Sequence, residues 1–599
     1  MVHPPGHPVW LLLARLYAFL PLGSVPFRVA LLSATCGALT VWLAARLAAR
    51  LAASAGPVAQ GLAAATAAFL AAGSTAMLGE ATRPEVYALN AALVLFAVDR
   101  ALSHLESGKP GDLAVAGVAA GLGLGNHHYL VVFAAPALFL AARHLRDLRG
   151  PMVTGGLALV AYAALPVRAL TQPVINWGDP STPGRFFDVL TAKTFQVSVS
   201  AETRGAPILD NLATALGMWA DAAGPVTIAF GLSAAVLGLL RQTRVAAVLL
   251  ALLAGSLATK VLMFIDPENP DDYGYFAVGI TVTCALAAAL PALLGLGSGG
   301  AASVSPTSGA AQGVVSAGTS RCGAVRWAVV TPLLLLGGGL GLPGRLEATQ
   351  RSSDTSAATV GAELLEPLAP DAIAFVDYFQ FYFQTWYAQL VEGVRPDAVV
   401  VQVSFDTRRG DASIRRWRAE APALAPVLDA ALTHPESFPR AEVLALATKR
   451  PVFLEVTLED LVPAGRLESH GVLRRVVPSP THESAARRLD AAAWERALPR
   501  RPGPDARRLV DLTHFNQAVL ALRQGMPRLA EDSLTRWAQL GHTLPPEPLL
   551  SLAEALSEPG RPGAPERAAA FLAQLGTPLE TATPSTVLAA LRTLQAPDR

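Results

Sequence analysis

The chain has 599 residues, 52% of them hydrophobic and 16% charged, where an ordinary soluble domain carries about a quarter charged residues. The deficit falls in the first 345 residues, which puts a polytopic membrane protein ahead of any soluble class. A net charge of +1 argues against a nucleic-acid partner, and Cys36, Cys284 and Cys322 are too far apart for metal spacing or a disulfide framework.

In chain order, the opening M-V-H-P-P-G-H-P lacks the positive region of a signal peptide. Residues 9–20 are apolar but short, carry Arg15 and stop at Pro21, which predicts an interfacial helix. Ten apolar runs then read as spans: 26–47, 57–74, 86–104, 112–125, 129–142, 152–167, 223–240, 244–264, 275–297 and 326–343. The fourth and fifth are short enough to form one re-entrant pair. Three polar islands interrupt the spans: Gly79–Asn90, Gly121–Tyr129 and Arg168–Gln196. Pro84 stops a helix arriving from the left and suits the first turn of one leaving to the right.

Residues 298–325 form a Gly/Ser/Ala-rich linker before the last span, so the membrane domain is read as 1–343. Past 343 the composition becomes that of soluble protein. Strands at Ala372–Val376, Ala398–Val403 and Pro451–Val456 around a helix at Phe379–Val391 predict a small α/β domain within 344–500. The aromatic run from Tyr378 to Tyr387 reads as core or membrane contact before carbohydrate platform. The tail, 501–599, has helical spacing at Phe515–Leu534, broken at Gly525-Met526-Pro527, and again at 549–575, like degenerate tetratricopeptide-type repeats.

Arg46 and Arg50, Lys109, Arg143, Arg146 and Arg149, Arg241 and Arg244, and Arg321 and Arg326 fall in alternate loops. The positive-inside rule makes that side cytoplasmic, with the polar islands and the soluble C-terminal region on the periplasmic face of a bacterial inner membrane. The same ladder predicts one more helix upstream of Met1.

Five motifs carry a resemblance: H-P-P-G-H-P (3–8), L-P-L-G-S-V-P-F-R-V-A-L-L-S-A (20–34), R-P-E-V-Y-A-L-N (83–90), G-L-G-L-G-N-H-H (121–128) and P-V-R-A-L-T-Q-P-V-I-N-W-G-D-P-S-T (166–182). The chain resembles a bacterial membrane family related to the eukaryotic transmembrane protein O-mannosyltransferases, within the GT-C glycosyltransferases. The likeness covers residues 1–200 and weakly 370–403, through V-E-G-V-R-P-D-A (391–398). It implies transfer of a sugar from a polyprenyl-phosphate carrier, with a lipid-linked donor, membrane lipids and an acceptor protein as partners. Family members carry an acidic motif shortly before H-P-P-G, which is not in this sequence.

Transfer to a hydroxyl needs a general base and a cation, or a divalent metal, to hold the departing phosphate. Glu85 is the candidate base, with Glu80 behind it; the structural alternative for Glu85 is a dipole contact in a first helical turn. Arg83, Arg168, Arg185 and Lys193 are cations where the positive-inside rule would deplete them, hence phosphate ligands or headgroup contacts. Asn126, His127 and His128 follow a glycine-rich helix end, and two adjacent histidines do not share a face for a metal pair. Asn176, Trp177 and Asp179 read as a sugar-binding loop or as a plain turn. His3, Tyr87 and Asn90 join the substrate set through the motifs they stand in. The acidic cluster Asp266, Glu268, Asp271 and Asp272 is a solvated loop or a divalent-cation site. A non-catalytic scaffold and a transporter are the competing readings. The near absence of charge at the span centres speaks against the transporter.

Overall fold

The computed structural model describes residues 6–173, 175–193, 207–241, 243–263, 265–267, 269–295, 316–350, 361–362, 364–376, 379–403, 411–434, 437–455, 462, 466–470, 473–478 and 527–540, with a few single positions between 514 and 590. Two units form, 1–352 and 353–599, and each is described by itself.

The first unit is helical. α1 (Pro8–Ala18) is the short amphipathic helix expected at 9–20, and α2 (Val25–Leu51) follows a Ser24 cap. Next come α3 (Pro57–Ala72), α4 (Thr75–Thr82), α5 (Tyr87–Ser107), α6 (Pro110–Ala141) and the span α7 (Leu145–Leu170). A short α8 (Pro183–Leu190) precedes α9 (Ile208–Ala223), α10 (Pro225–Leu240), α11 (Arg244–Val261), α12 (Pro270–Gly295), α13 (Ser316–Leu340) and α14 (Leu342–Gln350). Proline at the first turn of α3, α6, α8 and α10 starts each helix where its missing N–H costs nothing.

Among the described residues, seven helices are long and apolar enough to cross a membrane, or nine if α3 with α4 and α9 with α10 are each one bent span. This makes the chain a multi-pass membrane protein, and the higher count differs by one from the ten runs expected. The difference lies in α6. Straight, its 32 residues would reach about 48 Å, yet His104 Nε2 and Asp147 Oδ2, which flank it, stand 3.6 Å apart. The element folds back on itself at His127, whose φ −146° and ψ 85° are not helical. The expected re-entrant pair is therefore one element that reverses direction. On its outward limb Gly117 and Gly121 lie against the backbone of Pro151 and Gly155, where a Cβ would collide.

Two further expectations are corrected. Residues 208–223, read as part of an external polar loop, form α9, which buries Trp219 in the bundle and turns by 109° into α10. Its apolar stripe is interrupted by Asp210 and Asp221, which hides it in a hydropathy reading. Residues 316–325, assigned to the linker, lie in α13, because their Ala and Ser residues run without a breaker into the apolar stretch that follows. The remaining linker positions lie outside the described residues.

The bundle has two polar ends. At one, Asp99 of α5 takes salt bridges from Arg46 at 3.3 Å, Arg50 at 3.0 Å and Arg100 at 2.6 Å, and Arg100 also reaches Asp112 at 3.4 Å. Arg143 donates to the Leu105 carbonyl at this same end, so the early cationic loops do gather together. The other end carries the candidate site.

The second unit is built on a five-stranded sheet in the order β2-β1-β3-β5-β4. β1 (Ile373–Val376), α15 (Phe379–Leu390), β2 (Val399–Gln402) and β3 (Val452–Glu455) sit where the sequence places them. The first three strands are parallel, linked by α15 and then by α16 (Asp411–Glu420), α17 (Ala425–Thr433) and α18 (Arg440–Ala447). β1 and β3 are buried on both faces, as continuous Ile/Ala/Phe/Val and Val/Phe/Leu runs require. An antiparallel hairpin, β4 (Leu467–His470) and β5 (Leu473–Val476), closes the edge; its Arg and Glu content masks the strand alternation. Tyr382 is buried against Trp386 at 4.5 Å between ring centroids, so the aromatic run serves this core. Within V-E-G-V-R-P-D-A, Arg395 donates to Ala369 O and Asp397 and fastens two turns together. In the tail α19 (Pro527–Leu540) starts at the expected break; Phe515 and, apart from Ala573, 549–575 lie outside the described residues, and a repeat is not established.

Candidate functional site

The site is built around the break between α4 and α5. Pro84 forces Arg83 out of the helical region, to φ −107° and ψ 148°, and the chain turns through Glu85 before α5 begins at Tyr87. Glu80 ends up fully buried on α4, while Glu85 stays partly exposed. Arg83 donates from Nη2 to Glu80 Oε1 at 2.6 Å and from Nη1 to Asp271 Oδ1, in the first turn of α12, at 2.8 Å. Glu85 is held through its backbone: its carbonyl accepts from Trp10 Nε1 at 3.1 Å and from Ser33 Oγ at 3.3 Å. Burial pushes the Glu85 carboxyl up to about 7; the Asp271 charge adds to this and Arg83 opposes it.

The reversal of α6 delivers the second island to the same place. Asn126 Nδ2 donates to Val86 O at 3.0 Å, and its own carbonyl, freed by the kink, accepts from His7 Nδ1. Tyr162 Oη donates to the carbonyl of Leu124 at 2.8 Å. His127 is buried among rings, with centroids 5.4 Å from His7, 5.6 Å from Tyr87 and 5.5 Å from Tyr275. Tyr87 and Tyr275 stand 5.2 Å apart. Behind them Lys260 pairs with Asp272 at 2.8 Å and lies over the Tyr275 ring. Glu80 Oε2, Asn90 Oδ1, Asn126 Oδ1 and His128 Nδ1 are buried and carry no hydrogen bond among the described residues.

Glu80, Arg83, Glu85, Tyr87, Asn126 and His127 thus come together as one cluster, and buried Asn90 stands one turn along α5 from Val86. The third island is organised differently. Asn176 Nδ2 donates to Asp179 Oδ1 at 2.8 Å and Arg185 pairs with Asp179 at 2.7 Å, a local knot with Gly178 at φ +69° against Val189. Trp177 is half-buried beside it. Arg168 is exposed and bonded to Thr171, and Lys193 is exposed and paired with Asp188. α8 packs on Leu165, which lies against Gly6, so the knot neighbours the cluster. His3 lies outside the described residues.

Sequence reasoning left Lys260, Tyr275 and His7 out of the site and weighed Asp271 and Asp272 only as a loop or cation ligands. Their partners lie far along the chain, and only the excess of acids at the start of α12 pointed toward them. Among the described residues no three His, Cys, Asp or Glu side chains are arranged to hold a metal ion. Glu80 and Asp271 both face the Arg83 guanidinium, so these acids do not fit a divalent cation and no step is assigned to one.

Residues 1–147 match the family model described as the protein O-mannosyl-transferase TMEM260 N-terminal domain, which bears out the resemblance over that stretch. No curated protein matches the chain. Among solved structures, the archaeal oligosaccharyltransferase AglB from Archaeoglobus fulgidus, in complex with an inhibitory peptide and a dolichol-phosphate, is similar at 13% identity and a TM-score of 0.38 over 76% of this chain. The chain spans 62% of the length of that structure.

Proposed function

We propose that the chain is a GT-C-type membrane glycosyltransferase that moves a sugar from a polyprenyl-phosphate carrier to a hydroxyl acceptor. Mannose and a protein Ser or Thr are the first candidates. The observation that carries the reading is Glu85: a half-buried carboxyl, raised to about 7, beside a buried acid and a cation, on the stretch matched to O-mannosyltransferases. A carboxyl near neutrality suits general-base work. The acceptor oxygen attacks the anomeric carbon, its proton passes to Glu85, and the carbon–phosphate oxygen bond breaks with its electron pair leaving on the phosphate. Arg83 faces that developing charge.

The end holding Arg46, Arg50, Lys109 and Arg143 would face the cytoplasm and the site the periplasm. The test is transfer in membranes: labelled polyprenyl-phosphate mannose, a Ser/Thr peptide and the Glu85→Gln variant, with insertion checked by protease mapping. Transfer by the wild type and its loss in the variant supports the reading. Equal transfer by both removes Glu85 from the chemistry, and none by the wild type leaves the scaffold reading in possession.

A further inference from the structure

Arg83 is engaged on all three nitrogens: Nε to Gly79 O at 3.4 Å, Nη2 to Glu80 and Nη1 to Asp271. The two carboxylates are not equivalent. Glu80 is one helical turn away on the same element, fully buried, at 2.6 Å, and cannot turn to water. Asp271 belongs to another helix, and its side chain is 38% exposed. Of the two ties it is the one that can open without stranding a buried charge. Glu80 keeps its bond to Nη2 through Oε1, so the guanidinium stays anchored from behind when Asp271 leaves. The remaining charges facing the spot are Glu85 beside it and, on the far side of α12, Asp272, which is neutralised by Lys260.

Resting on the glycosyltransferase reading, we propose that Asp271 is a resident counter-ion on Arg83, displaced by the phosphate of the lipid-linked substrate, and so sets the affinity for that substrate. A carboxylate and a phosphate oxygen present the same acceptor chemistry to a guanidinium, so the exchange replaces one charge-assisted bond by another. Opening this tie costs less than opening the one to Glu80, because the Asp271 carboxylate can turn to water. An Asp271→Asn variant offers a weaker competitor and should bind substrate roughly two- to fivefold tighter.

The experiment measures binding of a short-chain polyprenyl phosphate to the purified full-length protein in detergent. Wild type, Asp271→Asn, Asp271→Ala and Arg83→Gln are compared, each first shown to be folded by its thermal transition. Tighter binding by both Asp271 variants, and loss of binding in Arg83→Gln, is the expected result. Unchanged or weaker binding by the Asp271 variants overturns the proposal. Inorganic phosphate and phosphatidylglycerol serve as competitors: displacement by phosphate alone assigns the site to a free anion, and displacement by the phospholipid assigns it to a headgroup. Either outcome overturns the carrier assignment.

In transfer assays the Asp271 variants should lower KM for the donor, and kcat should rise with pH at a lower value than in the wild type, because the Asp271 charge also helps to raise Glu85. Transfer by the wild type with an unaltered donor KM in the variants sinks this inference alone. Absence of both binding and transfer in the wild type sinks the glycosyltransferase reading with it.

Discussion

The two polar ends of the bundle are inversions of one another. At one, a buried acid, Asp99, is surrounded by Arg46, Arg50 and Arg100; at the other, a cation, Arg83, is surrounded by Glu80, Glu85 and Asp271. The arginine-rich end is the more fully paired of the two, although His104 Nε2 there is buried without a hydrogen bond among the described residues. Both oxygens of Asp99 accept, and Ser103 and Glu106 take up Arg50 as well. The acid-rich end is left incomplete, with a buried Glu80 oxygen unbonded and a carboxyl raised toward neutrality. Paired charges fix a structure, whereas several acids gathered on one guanidinium leave groups available to a ligand.

The sharpest way to break this comparison is chemical. Glu85→Gln should lower transfer at least about 100-fold while the protein stays inserted. Wild-type transfer should rise with pH through about 7, because the base acts only when deprotonated. The sign for stability is the reverse. Glu85 is raised in the folded state, so the fold holds an extra proton between the ordinary carboxylate range and about 7. Thermal stability in detergent should therefore fall as pH rises across that window, and Glu85→Gln should flatten the slope.

Next in size, Asp99→Asn should cost about 2 kcal/mol of stability, read from thermal unfolding, and leave transfer per folded molecule unchanged. A selective loss of transfer would mean that the more fully paired end also takes part in function. Asn126→Ala removes the bond to Val86 O and should cost about 1 kcal/mol, with a smaller fall in transfer than Glu85→Gln. Smallest of all, Arg168→Ala should stay within about 0.5 kcal/mol of wild type, since its guanidinium is exposed and bonded only locally to Thr171. Abolished transfer in that variant would draw the third island into the site and redraw the boundary between the regions.

The sequence makes one side of the site legible. Gly79–Asn90 and Gly121–Tyr129 announce themselves as polar breaks in apolar runs, and Pro84 marks the helix start to within three residues of Tyr87. The parallel strands of the second unit are equally readable, since burial on both faces writes itself as unbroken Val, Ile and Phe. Asp271 and Lys260 are not readable in the same way. A tie between positions 83 and 271 depends on how α12 packs beside α4, and no local period encodes that. Asp99 escapes notice for a related reason: one acid in an apolar helix acquires meaning only when α2 brings two arginines to it.

The reversal of α6 also bears on how the protein is made. The carbonyls freed at its kink are taken by His7, from the beginning of the chain, and by Tyr162, from the span that follows. Neither is a neighbour in sequence. As the polypeptide leaves the ribosome, the hairpin reaches the insertion machinery before Tyr162 has emerged, with a backbone acceptor that hydrocarbon would penalise. The half-finished bundle must therefore wait in a wet or protein-lined compartment until the next span arrives. Biogenesis should be most vulnerable at that point, and a nascent chain ending between α6 and α7 should be the one that quality-control proteases cut fastest.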